Sequence, residues 1–123
     1  MSNEDYSSTW ATYQAAWGDV SDAKRQDLLN KSVSDDVVYT DPSGQASNRG
    51  ELITFIEEFK QSMPGATFRN HKLIGHHAQT MAEWMLYDAN GAELVPGSSW
   101  ACYREDGRIT NVSGFFEAPK NPG

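Results

Sequence analysis

The hydrophobic period of the chain changes once, at Pro64-Gly65, and that change limits the folds open to it. Before it, apolar residues recur at helical spacing. Leu52, Phe55, Ile56, Phe59 and Met63 follow one another at three and four, with Ile53 widening the face, and predict a helix from about 51 to 63. Tyr6, Trp10, Tyr13 and Trp17 repeat at four, three and four and predict another over 5–17, broken by Gly18-Asp19. Ser21 is a suitable N-cap for a helix over 22–32, with Leu28, Leu29 and Val33 as its apolar contacts. After Gly65 the pattern is strand-like over 66–78, 80–88, 94–105 and 108–117. Asn90-Gly91 and Asp106-Gly107 fall between strands and are strong hairpin signals. Helices first and an antiparallel meander after give an α+β layout, with the helices on one sheet face.

Such a sheet, bent under three helices, can enclose a conical hollow instead of a filled core. Gly75, Gly97 and Gly114 lie in or beside strand runs and suit bulges that bend it. By alternation Ala82, Trp84 and Leu86 share one face and Met81, Glu83, Met85 and Tyr87 the other. The first set is the more apolar. In the last strand neither Val112, Gly114 and Phe116 nor Asn111, Ser113 and Phe115 form a wholly polar set. A sheet apolar on both faces implies a second subunit on the face away from the helices, hence a homodimer.

One polar stretch interrupts the helical half. The short strand Val37–Tyr39 runs into Asp41, which Pro42 holds in an extended conformation. Small polar residues follow, and then Gly50 opens the third helix. This order can present one carboxylate to a pocket. It can equally place Asp41 as the cap of a turn.

Composition narrows the function classes. A chain of 123 residues has room for one core, so 1–123 is read as one domain, ordered over 5–118 with a frayed tail over 119–123. The net charge of −7 argues against a nucleic-acid or anionic-membrane partner. No apolar run is long enough to span a bilayer, and the first residues do not read as a signal peptide. Cys102 is the lone cysteine, which suits a cytoplasmic protein, and its strand-like setting suits a buried structural thiol.

No phosphate loop, paired-cysteine metal site or serine elbow is present. His71, His76 and His77 are clustered, but His76 and His77 point to opposite faces of a strand unless a turn intervenes. A metal site needs at least three convergent ligands, so no metal is expected. One of these histidines lining a pocket as hydrogen-bond donor, acid or base is a stronger reading than a metal ligand, and exposed or packing histidines are the remaining alternative.

Taken together, the aromatic helix, the second helix, Val-Val-Tyr-Thr-Asp-Pro, the Gly50 helix start, Phe-Lys-Gln-Ser-Met-Pro-Gly, the His-His step before a strand with Trp84, and Asp-Gly-Arg-Ile-Thr-Asn-Val-Ser-Gly-Phe-Phe resemble the SnoaL-like branch of the nuclear transport factor 2-like (NTF2-like, cystatin-like) superfamily. The likeness covers about residues 5–118. It implies a cone of three N-terminal helices on a curved, mostly antiparallel sheet around a pocket, commonly dimeric. The superfamily includes polyketide cyclases, ketosteroid isomerases, scytalone dehydratase, epoxide hydrolases and members without catalysis. By likeness to ketosteroid isomerase, Asp41 falls on the general base, Tyr13 on an oxyanion donor and Phe116 on the cavity wall. The second oxyanion donor, an acid there, falls on Ser99, a weaker donor. The arginine and two acids of the epoxide hydrolases have no counterpart.

Trp10, Trp17, Phe55, Phe59, Trp84 and Leu86 are then expected around a substrate, together with His76, His77, Ser99 and Phe116. A carboxylate in such a hollow loses hydration, which favours its uptake of a proton from carbon beside a carbonyl. The enolate oxygen then needs a donor, which Tyr13, a histidine or Ser99 supplies. No cofactor is required. Three functions stay open on the sequence. The first is a cofactor-free isomerase, cyclase or lyase acting on a hydrophobic carbonyl compound. The second is a non-catalytic binder of such a molecule. The third is a dimeric interaction module with an incidental pocket, in which Asp41 is tied to its loop or to Arg49.

Overall fold

The computed structural model describes residues 6–117. The elements are α1 (Tyr6–Ala15), α2 (Asp22–Ser32), β1 (Val33–Asp41), β2 (Gly44–Ala46), α3 (Arg49–Ser62), β3 (Thr67–His76), β4 (Gln79–Tyr87), β5 (Glu93–Tyr103) and β6 (Ile109–Phe115). The foreseen tail and the helix residue Asp5 lie outside the described residues. One six-stranded sheet has the order β2-β1-β6-β5-β4-β3. Every neighbouring pair is antiparallel except β1 with β6, so the sheet is mixed. It is curved and unclosed, with the three helices packed on it: the α+β cone of the cystatin-like fold.

Local chemistry explains most boundaries. The Ser21 hydroxyl accepts from the Lys24 amide at 3.1 Å and starts α2. Asn48 accepts from the Glu51 amide at 2.8 Å, while the Glu51 carboxylate reaches back to the Ser47 amide at 2.8 Å. This reciprocal cap starts α3 at Arg49, just before Gly50. Asp88 Oδ1 accepts from the Asn90 and Ala92 amides and shapes the Asn90-Gly91 turn, with Gly91 at φ +85°. Between α1 and α2, the buried Arg25 donates to the carbonyls of Ala16, Gly18 and Val20 and latches the turn.

Three features differ from the sequence expectation. β1 is nine residues long, because Val33 and Ser34 are already buried against β6 and the polar Asp35-Asp36 step occupies a register irregularity between Val33 and Val38. The loop after Asp41 contains β2, which folds straight back on β1 with Asp41 opposite Gly44. The three glycines are not at bulges: register shifts fall elsewhere, at Asn70/Lys72, Leu86/Tyr87 and Cys102/Tyr103 among others. At Gly97 the reason is a close approach. A Cβ there would lie 2.3 Å from Cη2 of the Trp84 indole, which lies across the bare backbone.

The sheet faces follow the alternation. Ala82, Trp84 and Leu86 are buried under the helices. Met81 and Glu83 are exposed on the other side, where Ile74, Val38 and Phe115 are also exposed. Cys102 is half-buried on that outer face and is not a core thiol. No helix among the described residues is long and apolar enough to cross a membrane.

Candidate functional site

A cavity of about 630 Å³ opens between α1, α3 and the inner face of the sheet. β1 brings the chemistry to it. Strand alternation puts Tyr39 and Asp41 on one face, and Pro42 ends the strand there. Asp41 Oδ1 accepts from the Ser43 amide at 2.7 Å, the Ser43 hydroxyl at 2.7 Å and the Gly44 amide at 3.2 Å. Oδ2 accepts from the Tyr39 hydroxyl at 2.5 Å. A carboxylate offers about four lone-pair sites, and Oδ2 keeps one unspent. Arg49 is not a partner of Asp41; it donates to the Val33 carbonyl at 2.8 Å.

Burial raises the Tyr39 pKa well above the ordinary tyrosine value, and the neighbouring Tyr13 and Asp41 push it the same way. Tyr13 is raised too, first by burial and then by Asp41 and Tyr103, with a hydrogen bond from Trp17 partly offsetting them. Both keep their phenolic protons, and Tyr39 gives its own to Asp41 Oδ2. Ser99 is held differently. The Trp84 indole N–H donates to its Oγ at 3.0 Å, which leaves the hydroxyl proton free to be given. Gly114 shows how these groups converge. A Cβ built there would lie 3.4 Å from Asp41 Cβ, 3.7 Å from Ser99 Oγ and 3.8 Å from the Tyr39 hydroxyl. The polar floor is thus gathered around one bare backbone position.

The rest of the wall is aromatic. Trp17 stands at its centre, with ring centroids 5.5 Å from Phe59, 5.6 Å from Tyr39, 5.8 Å from Phe68 and 6.2 Å from Phe55. Helix α3 divides its faces: Leu52 and Ile56 go into the core, while Phe55, Glu58, Phe59 and Ser62, at i, i+3, i+4 and i+7, line the cavity.

Of the residues foreseen as lining, Trp10, Tyr13, Trp17, Asp41, Phe55 and Phe59 border the cavity. So do Trp84, Leu86, Ser99 and Phe116. His76 and His77 do not. A turn ends β3 at His76, His77 and Ala78 take φ +49° and +60°, and both imidazoles face solvent with their Nδ1 atoms 3.2 Å apart. The placement of these histidines at a pocket is corrected accordingly. Tyr39, Phe68 and Glu58 were not foreseen at the cavity. Tyr39 was readable from its i−2 relation to Asp41. Phe68 needed the β3–β4 register, which sets it opposite Leu86. No group of three or more His, Cys, Asp or Glu side chains suited to a metal occurs among the described residues.

A cone of three helices on a bent sheet, hollow at one end and floored by hydroxyls and one carboxylate, defines the class: an NTF2-like pocket protein. Residues 12–112 match the SnoaL-like domain family, and the chain belongs to it. A candidate isomerase of the SnoaL-like family from Agrobacterium tumefaciens is 27% identical, with a TM-score of 0.86 over 92% of this chain and 97% of that one. A candidate ketosteroid isomerase from Kribbella flavida is 16% identical, with a TM-score of 0.72 over 96% and 82%. A candidate polyketide cyclase from Sinorhizobium meliloti is 11% identical, with a TM-score of 0.71 over 87% and 93%. At such identities the last two speak to the fold alone. No curated protein matches the sequence significantly.

Proposed function

We propose that the chain is a cofactor-free enzyme that binds a hydrophobic carbonyl compound in this cavity and rearranges it by proton transfer, as an isomerase or cyclase. The observation that carries this is Asp41 Oδ2, fixed by Tyr39 at the wall of an aromatic cavity with one lone pair to spend. Oδ2 takes a proton from the carbon beside the carbonyl. The enolate oxygen is met by the hydroxyls of Tyr13 and Ser99, which burial and Trp84 keep in their donor forms. Tyr39 orients the carboxylate.

The test is exchange of the α-protons of a bicyclic β,γ-unsaturated ketone in deuterated water, followed by proton NMR. Asp41→Asn is expected to lower the rate by at least about a hundredfold. A rate unchanged by Asp41→Asn removes Asp41 as base. A second reading is favoured by the three donors on Oδ1, which are those of a turn cap. There the protein binds its ligand without turnover, and Asp41→Asn leaves affinity intact while wild type shows no exchange.

We infer further that a second copy of the chain covers the outer sheet face. Ile74, Met81 and Trp100 are aligned across β3, β4 and β5, and Phe115 is 61% exposed nearby on β6. Sedimentation velocity on wild type and Met81→Glu tests this; a monomeric wild type removes it. A reducing, cytoplasmic setting belongs to the same reading, since Cys102 has no partner within the chain for a disulfide.

A further inference from the structure

We propose that the cavity admits uncharged ligands and turns away their anionic counterparts, with Glu58 at the mouth setting that preference. This rests on the binding reading above and adds the charge class of the ligand. Among the described residues the cavity lining contains two carboxylates, Asp41 and Glu58, and no lysine, arginine or histidine. The shallow groove beside the mouth shares Phe55 and Glu58 with the cavity, adds Glu51, and brings no cation among the described residues.

Among the described residues, three cations on the neighbouring elements α3 and β3 are engaged elsewhere. Lys60, two residues beyond Glu58 on α3, is bound to the Asp19 carboxylate at 3.0 Å and the Ala66 carbonyl at 2.7 Å, and its side chain is 11% exposed. Arg49 holds the Val33 carbonyl at the start of α3. Arg69 lies over the Tyr87 ring at 5.0 Å, and Tyr87 belongs to the strand face turned away from the helices.

An anion entering this space gives up hydration without gaining a counter-ion. It also meets aromatic faces, whose quadrupole is negative, and two like charges. The net charge of −7 extends the repulsion beyond the mouth. A neutral carbonyl or hydroxyl carries no charge to be repelled and finds the buried Tyr13 and Ser99 among the lining residues.

The test uses 2-naphthoic acid, its methyl ester and its primary amide, titrated into the full chain by isothermal calorimetry near pH 7.5, where the acid is ionised. Ester and amide are expected to bind at least roughly tenfold more tightly than the carboxylate. Glu58→Lys is expected to narrow the ester-to-carboxylate ratio by at least about threefold, and Glu58→Gln by less. A carboxylate that binds as tightly as the ester overturns the charge preference and leaves the binding reading standing. A ratio unmoved by Glu58→Lys overturns the role of Glu58. If none of the three binds, the binding reading itself falls and takes this inference with it.

Discussion

Around Leu29, Val33 and Ile109 the helices and sheet close on each other, while around Trp84 and Leu86 they stand apart. At the closed end Leu29, Val33, Val37, Leu52, Ile56 and Ile109 are all 0% exposed and belong to one cluster. At the open end a separate cluster holds Ala66, Trp84 and Leu86, fringed by half-buried Phe59, Met63, Phe68, Val95 and Phe116. The difference lies in side-chain shape. Branched aliphatic residues interlock and fill space. Rings set edge to face, such as Phe68 against Trp84 at 5.1 Å and 89°, brace one another across a gap without filling it. Branched aliphatic residues thus dominate the centre of the closed end, and aromatic rings dominate the wall of the hollow.

Truncation should separate the two ends most sharply. Ile56→Ala removes a fully buried side chain at the closed end. It should cost about 2–5 kcal/mol in urea unfolding, because the surroundings cannot collapse onto the void. Phe116→Ala removes a half-buried ring that borders open space. It should cost about 1 kcal/mol, and it should weaken binding of the naphthoate ester. Equal destabilisation by the two would break the contrast, since it would mean the open end is packed like the closed one.

The seam between the ends carries buried phenols, and high pH probes it. Tyr13 and Tyr39 are raised above the ordinary value of 10.0, chiefly by burial. Tyr103, at the closed end, is pushed up to about 12 by burial, which the Thr80 hydrogen bond partly offsets. Each folded pKa is higher than the unfolded one, so above pH 10 the native state holds more protons than the unfolded chain. Stability is therefore complete below about pH 10 and declines as pH rises through the folded values, by up to about 1.4 kcal/mol per pH unit for each tyrosine. Urea midpoints measured from pH 8 to 12 should show this fall, and Tyr103→Phe should flatten it. An alkaline limb unchanged in Tyr103→Phe would mean that this phenol is not desolvated.

What could be read from the sequence divides along the same line. Periodicity located Leu52 and Ile56, the Asn90-Gly91 and Asp106-Gly107 turns and the inward Ala82-Trp84-Leu86 face, because each depends on local spacing. Pro42 marked Asp41 for the same reason. The hollow end depended on long-range geometry. Only the β3–β4 register brings Phe68 to the cavity, and only the rotation of α3 separates Glu58 from the core stripe. His76 and His77 were misplaced because their turn uses positive φ at residues other than glycine, which no turn dipeptide announces. The role of Gly97 was hidden because it is fixed by an indole from another strand.

The smallest expected change in stability tests whether the polar floor is a site or a by-product of packing. Gly114→Ala introduces a methyl group at van der Waals distance from Asp41 Cβ, Ser99 Oγ and the Tyr39 hydroxyl, with no contact shorter than 3.4 Å. The backbone there is not in the left-handed region, so stability should shift by less than about 1 kcal/mol. The methyl group nevertheless occupies the point on which the three polar groups converge. A ligand carbonyl seated there would be displaced, and affinity for the naphthoate ester should fall by about tenfold or more. Unaltered affinity in a stable Gly114→Ala variant would place the ligand's polar end elsewhere, toward Glu58 and Ser62, and would leave the Tyr39–Asp41 pair as part of the turn that closes β1 onto β2.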